Sequence, residues 1–156
     1  MDHKTNDYFM EFALAEARKA FIKNEVPVGC VIVLDNQIIG RGHNSVIQRC
    51  SVIAHAEIIA IEDASKTLKN YRLLNADIYT TLEPCHMCAK AIVDARISNL
   101  YFGASESKTG SVQSIDAFFE RTDLNHRVNF SGGYMANQSA DLLKKFFMSK
   151  RRKPKK

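Results

Sequence analysis

No stretch of this 156-residue chain approaches the run of about 20 apolar residues that a membrane-spanning helix needs, so none is expected. The opening MDHKTNDYF lacks the basic-then-apolar pattern of a secretory leader, and a cytoplasmic protein is expected. Internal repeats, low-complexity segments and linkers are also missing, so we expect one domain over residues 1–156 with a sizeable core of its own. Cysteine is sparse: Cys30, Cys50, Cys85 and Cys88. Without an export signal these are not read as a disulfide framework, and metal or thiol chemistry is the better use for the close pair. Acidic residues are absent from Leu142 onward, where eight of the 22 Lys and Arg residues lie. The remaining fourteen basic residues face seventeen acidic ones, so residues 1–141 carry −3 and the whole net charge of +5 comes from residues 142–156, within the basic last helix and tail of about 137–156. A cationic end on a slightly acidic body either recognises a polyanion, nucleic acid first, or is a solvated end that aids solubility.

What is present reads as alternating strands and helices. Phe9, Phe12, Ala13, Ala17, Ala20 and Phe21 follow helical spacing, with Thr5 or Asn6 available as a cap and an end near Lys23. VGCVIVLDNQIIGRG is two apolar runs about an Asp35-Asn36 turn, the pattern of a hairpin. A helix is expected over 54–68, a strand at DIYTTL, a helix at HMCAKAIVDA, strands at NLYFG and RVNFSGGY, and a last helix over 137–150. Strands interleaved with helices imply an α/β protein whose central sheet is covered on both faces.

Two of these helices open on reactive groups. TLEPCHMCAKAI places Cys85 and Cys88 three residues apart at the start of a helix that follows a strand. Thiolates are good zinc ligands, and the positive end of a helix favours thiolate over thiol. In AHAEIIAIEDA, His55 opens the preceding helix in the same way. Three protein ligands leave the fourth tetrahedral position open, as catalytic zinc requires, because water held there loses a proton near neutral pH. Glu57, in the first turn beside His55, would carry that proton, and as a fourth ligand it would instead close the site. Taken singly, His-x-Glu is a weak signal, and Cys-x-x-Cys is equally a redox pair or half of a structural zinc site. Together they match the established signature of zinc-dependent nucleobase deaminases, His-x-Glu followed by Pro-Cys-x-x-Cys.

Beyond the zinc motifs, EVPVGCVIV, GRGHN, AHAEI, TLEPCHMC, FGASESKTG, LNHRVNFSGGY and LLKKFF follow in an order that closely resembles the bacterial tRNA-specific adenosine deaminases. That resemblance implies a three-layer α/β/α fold around a five-stranded mixed sheet, a homodimer, and conversion of adenosine to inosine at the wobble position of a tRNA anticodon. It also implies that His55, Cys85 and Cys88 bind one Zn2+ per chain while Glu57 shuttles the proton. Asn44 would bond the flipped base or its ribose, Ala56 would offer its backbone, and Val28 would line the pocket. Glu106, Lys108, Asn125 and His126 would meet the flanking nucleotides, and Phe147 with the basic residues after it would contact the anticodon stem-loop.

Several of these residues have plainer roles open to them. Phe146 and Phe147 lie four residues after Leu142 and Leu143, as members of a core stripe would. Asn44 is suited to capping a turn, His126 to an ordinary surface, and Cys30 to a strand core. Cys50 or His86 would be enlisted if a fourth ligand closed the site, although His86 is expected to face away from the metal. The family usually reads Asp-Pro-Thr before Ala-His-Ala-Glu, whereas this chain has SVIAHAE, which leaves Ser51 as an earlier cap. It also carries Glu106 where aspartate is usual. Two rival functions share the zinc signature: a free cytosine or guanine deaminase, and a non-catalytic zinc-stabilised binding module.

Overall fold

A computed structural model describes residues 3–151, so the tail residues 152–156 lie outside the described residues. Asp35 and Asn36 both sit in the left-handed region, at φ 49° and 61°, as a two-residue type I′ hairpin turn requires. They join β1 (Gly29–Leu34) to β2 (Gln37–His43), whose register slips once between Ile32 and Val33. The other side of β1 pairs antiparallel with β3 (Asp77–Leu82). β3 then pairs parallel with β4 (Asn99–Ala104), and β4 with β5 (Asn129–Gly132). The result is a five-stranded mixed sheet in the order β2-β1-β3-β4-β5.

Strand alternation divides the core between two faces. Cys30, Ile32, Ile78, Leu100 and Phe102 point toward α2 (Ala56–Leu68) and α3 (His86–Asp94). Val31, Val33 and Tyr79 point the other way, against Phe9, Met10 and Ala13 of α1 (His3–Ile22). The last helix, α4 (Ala136–Arg151), joins α1's layer through Phe146, whose ring meets Phe21 edge-on at 5.9 Å. These are the three α/β/α layers expected, with a short 3-10 turn at Phe118–Glu120 that the hydrophobic pattern does not announce.

Helix α2 lies unusually close to the sheet. Ala56, Ala60 and Ala64 form a fully buried stripe at four-residue spacing, laid over Gly40 and Gly42 of β2. A Cβ on Gly42 would stand 2.3 Å from the Ala56 carbonyl oxygen, so only glycine admits the helix. This seating brings the start of α2 beside the end of β2, and so His55 beside Asn44.

Two capping expectations are corrected. Thr5 and Asn6 lie inside α1, which already runs from His3, and buried Asn6 instead accepts the Tyr79 hydroxyl at 2.8 Å. Ser51 does not cap α2 either. The N-cap is His55, and the side chain reaching the helix start is Asn44, whose Oδ1 accepts the Ala56 N–H at 3.2 Å. A partner twelve residues upstream is supplied by tertiary packing, which local spacing does not reveal.

Candidate active site

His55 and Cys85 are the N-cap residues of α2 and α3, both with extended backbone, and Cys88 lies in the first turn of α3. The His55 side chain makes no bond to its own helix, and Cys85, whose sulfur is bonded by Cys88 one turn on, faces it. His55 Nδ1 stands 3.7 Å from Cys85 Sγ and 3.5 Å from Cys88 Sγ, and the three ligand atoms all lie within 4.8 Å of one another. Bonds of about 2.1 Å to nitrogen and 2.3 Å to sulfur, at a tetrahedral angle, separate N and S by about 3.6 Å, so the donors fit zinc. Among the described residues no carboxylate joins this cluster. Hydrogen bonding from Cys88 holds the Cys85 thiol down at about 3, helped by His55, and Cys88 in turn is pushed up because it shares its proton with Cys85 and is buried. His55 is raised by its bond to Cys85.

Glu57 follows two residues after His55 and is 4 % exposed, with its carboxyl at the same pocket. Burial lifts that carboxyl to about 7. The pocket is a small cleft of about 130 Å³, partly open to solvent. Val26, Val28, Asn44 and Leu82 wall it beside His55, Glu57 and Cys85, and Thr109 closes it from the loop after β4.

The remaining sequence expectations separate by position. Val28 and Asn44 are in the pocket wall, and the Ala56 N–H is already bonded to Asn44. Glu106 and Lys108 lie in the loop beside Thr109, where one Glu106 oxygen accepts the Lys108 N–H at 3.0 Å. Asn125 and His126 are not brought to this pocket. His126 meets the Ile97 carbonyl at 2.6 Å, ahead of β4, whereas the pocket lies past its other end, about 20 Å away at a strand's rise per residue. Phe146 is 5 % exposed and belongs to the core, while Phe147 is 45 % exposed. Cys30 is buried and Cys50 exposed, with its sulfur toward the Ile47 carbonyl. His86 faces away from the ligands, bonded through Nε2 to Asp116.

Sequence reading missed two buried glutamates that hold the pocket's loops. Glu25 is 2 % exposed and accepts the N–H groups of Ile47 and Gln48 at 3.0 and 2.9 Å, fixing the loop between Asn44 and His55. Glu83, also 2 % exposed, holds the loop after β4. Their only sequence signal is a lone acid in EVPVG and in TLEPC, because backbone partners leave no mark on the sequence.

Residues 3–104 match the family profile of the cytidine and deoxycytidylate deaminase zinc-binding region. The chain is 44 % identical over 148 residues to the tRNA-specific adenosine deaminase of Streptococcus pyogenes, covering 95 % of this chain and 86 % of that protein. It is 46 % identical over 144 residues to the tRNA-specific adenosine deaminase of Agrobacterium fabrum, covering 92 % and 95 %. A solved structure from work on A-to-I editing by tRNA deaminases at the wobble position superposes with a TM-score of 0.84 at 45 % identity, covering 86 % of this chain and 98 % of that one. Guanine deaminase from Nitrosomonas europaea superposes with a TM-score of 0.72 at 21 % identity, covering 88 % and 81 %, a likeness of fold alone. With the profile covering most of the chain and full-length relatives above 40 % identity, the chain belongs to the tRNA-specific adenosine deaminases, within the zinc-binding cytidine and deoxycytidylate deaminase family.

Proposed function

We propose that this chain is a zinc-dependent enzyme that hydrolyses adenosine to inosine and ammonia at the wobble position of a tRNA anticodon. The observation that carries the reading is the triangle of His55, Cys85 and Cys88 at two helix starts, with buried Glu57 at the same pocket but outside the triangle. When bound, zinc acidifies water and stabilises negative charge on oxygen. Glu57 takes one proton from the attacking water and gives it to N1 of adenine, then takes the second from the oxygen now on C6 and gives it to the departing amine, so that ammonia leaves and the carbonyl of inosine remains. Asn44 braces the start of α2 and bonds the base or ribose, Val28 packs against the ring, and Ala56, whose N–H Asn44 already takes, is assigned to the base edge by the resemblance alone. Glu106 and Lys108 meet nucleotides flanking the target. Phe147 and the basic end of α4 contact the anticodon stem-loop, while Asn125 and His126 are assigned by the resemblance alone. A single-stranded loop suits such a site, since flipping an already unpaired base costs at most a few kcal/mol.

One deaminase domain spans the chain, and it works as a homodimer in the cytoplasm. None of the described helices is long and apolar enough to cross a membrane. Incubation with anticodon stem-loops, read by inosine-sensitive sequencing, tests the function. Inosine at the wobble adenosine is the expected product, and ammonia from free guanine or cytosine with no inosine in RNA would overturn the reading.

A further inference from the structure

Glu83 is the most heavily bonded carboxylate near the pocket, and the zinc chemistry gives it no task. It stands between the end of β3 and Pro84-Cys85, in the pocket wall, and both oxygens bond the loop after β4. Oε1 accepts the Glu106 N–H at 3.1 Å and the Ser114 hydroxyl. Oε2 accepts the N–H groups of Val112, Gln113 and Ser114 at 3.1, 2.8 and 2.9 Å. Gly110 makes room for it, since a Cβ there would stand 2.5 Å from the Glu83 carboxyl carbon. Four backbone donors, one of them on fully buried Val112, thus converge on a single side chain. Without it they would lose their partner, which is costly away from water.

The loop that Glu83 gathers runs from Glu106 to Ser114 and carries Thr109 into the pocket wall, with Lys108 at the rim. We propose that Glu83 is a positioning residue for substrate: its carboxylate is the template on which the loop over the pocket folds, tying the wall that meets the nucleotide to the turn that carries Cys85. A displacement of about 1 Å in such a wall is enough to cost a hundredfold in rate. The inference rests on the deaminase reading for its kinetic arm only.

The test compares zinc-loaded wild type with Glu83→Gln, Glu83→Asp and Ser114→Ala. A glutamine leaves one acceptor oxygen and aims an NH2 at N–H groups, so the amides of residues 106 and 112–114 are expected to exchange with solvent about a hundredfold faster. KM for the anticodon stem-loop should rise about tenfold or more while kcat falls less and zinc stays at one per chain. Glu83→Asp keeps the charge and should recover part of both effects. Ser114→Ala removes one exposed donor only, and should raise KM about two- to threefold with the melting temperature unchanged. Wild-type exchange and wild-type KM in Glu83→Gln overturn the proposal, and if that variant does not fold, wild-type values in Ser114→Ala do so. A wild type that makes no inosine in RNA refutes the function instead, and the exchange result still decides the template.

Discussion

Replacing Gly42 by alanine would put a Cβ 2.3 Å from the Ala56 carbonyl oxygen and 2.6 Å from the Ala60 amide nitrogen. Both atoms are backbone, so no side chain can swing aside. To restore van der Waals contact, α2 must lift from β2 by about 1 Å, an overpacking strain worth about 1–3 kcal/mol. The same movement pulls the Ala56 N–H from Asn44 Oδ1, now at 3.2 Å, and losing such a cap costs about 1 kcal/mol. The total of about 2–4 kcal/mol corresponds to a fall of about 5–15 °C in Tm for a domain of this size. Because His55 and Glu57 ride on the start of α2, zinc affinity should fall as well. Gly40→Ala is the control: its Cβ would meet Ala60 and Ala64, one turn further along the helix, at 2.5 and 2.7 Å. It should cost similar stability with a smaller effect on the metal. Thermal melts and chelator competition on both variants decide the matter. A Gly42→Ala protein that melts within 1 °C of wild type and holds zinc equally well refutes the seating of α2 as the device that places the site.

Phe146→Ala should cost about 3–5 kcal/mol in denaturant unfolding because the ring is core. Phe147→Ala should stay within about 0.5 kcal/mol in the same assay yet bind the anticodon stem-loop more weakly, by about 1–3 kcal/mol if a base stacks on it. Burial raises the Glu16 carboxyl, but hydrogen bonds from Lys19 and His43 and their charges more than offset this and leave it below its ordinary value. Glu16 therefore adds stability above the ordinary carboxyl range and loses it as pH falls through its lowered folded value. The stability gap between wild type and Glu16→Gln should accordingly narrow on acidification, and a gap constant from pH 7 to pH 3 contradicts the pairing. Removing residues 150–156 should lower the slope of log K against log salt for stem-loop binding by about 0.7–0.9 per lost phosphate contact, whereas an unchanged slope would leave the tail a solubility device.

Features set by local chemistry were legible in the sequence. The Asp35-Asn36 pair carries its own turn type, the alternation of Cys30 and Ile32 with Val31 and Val33 sorts the sheet's two faces, and the spacing of His55, Glu57, Cys85 and Cys88 carries the metal site. Features set by tertiary partners were not. Phe146 and Phe147 share one stripe in the pattern, and packing against partners such as Phe21 is what buries the first and not the second. Ser51 and Asn44 are equally good caps by type, but the glycine seat of α2 brings up Asn44. His126 bonds the Ile97 carbonyl, a partner 29 residues away that its own surroundings do not announce. Glu25 and Glu83 bond backbone amides, which every sequence has, so nothing around them shows what they hold.

The central claim is that three residues hold the metal while Glu57 moves protons without touching it. Zinc content of purified Glu57→Ala, measured on the same preparation assayed for inosine, tests this most directly. The account predicts one zinc per chain and no inosine. Loss of zinc together with activity would make Glu57 a ligand and contradict it.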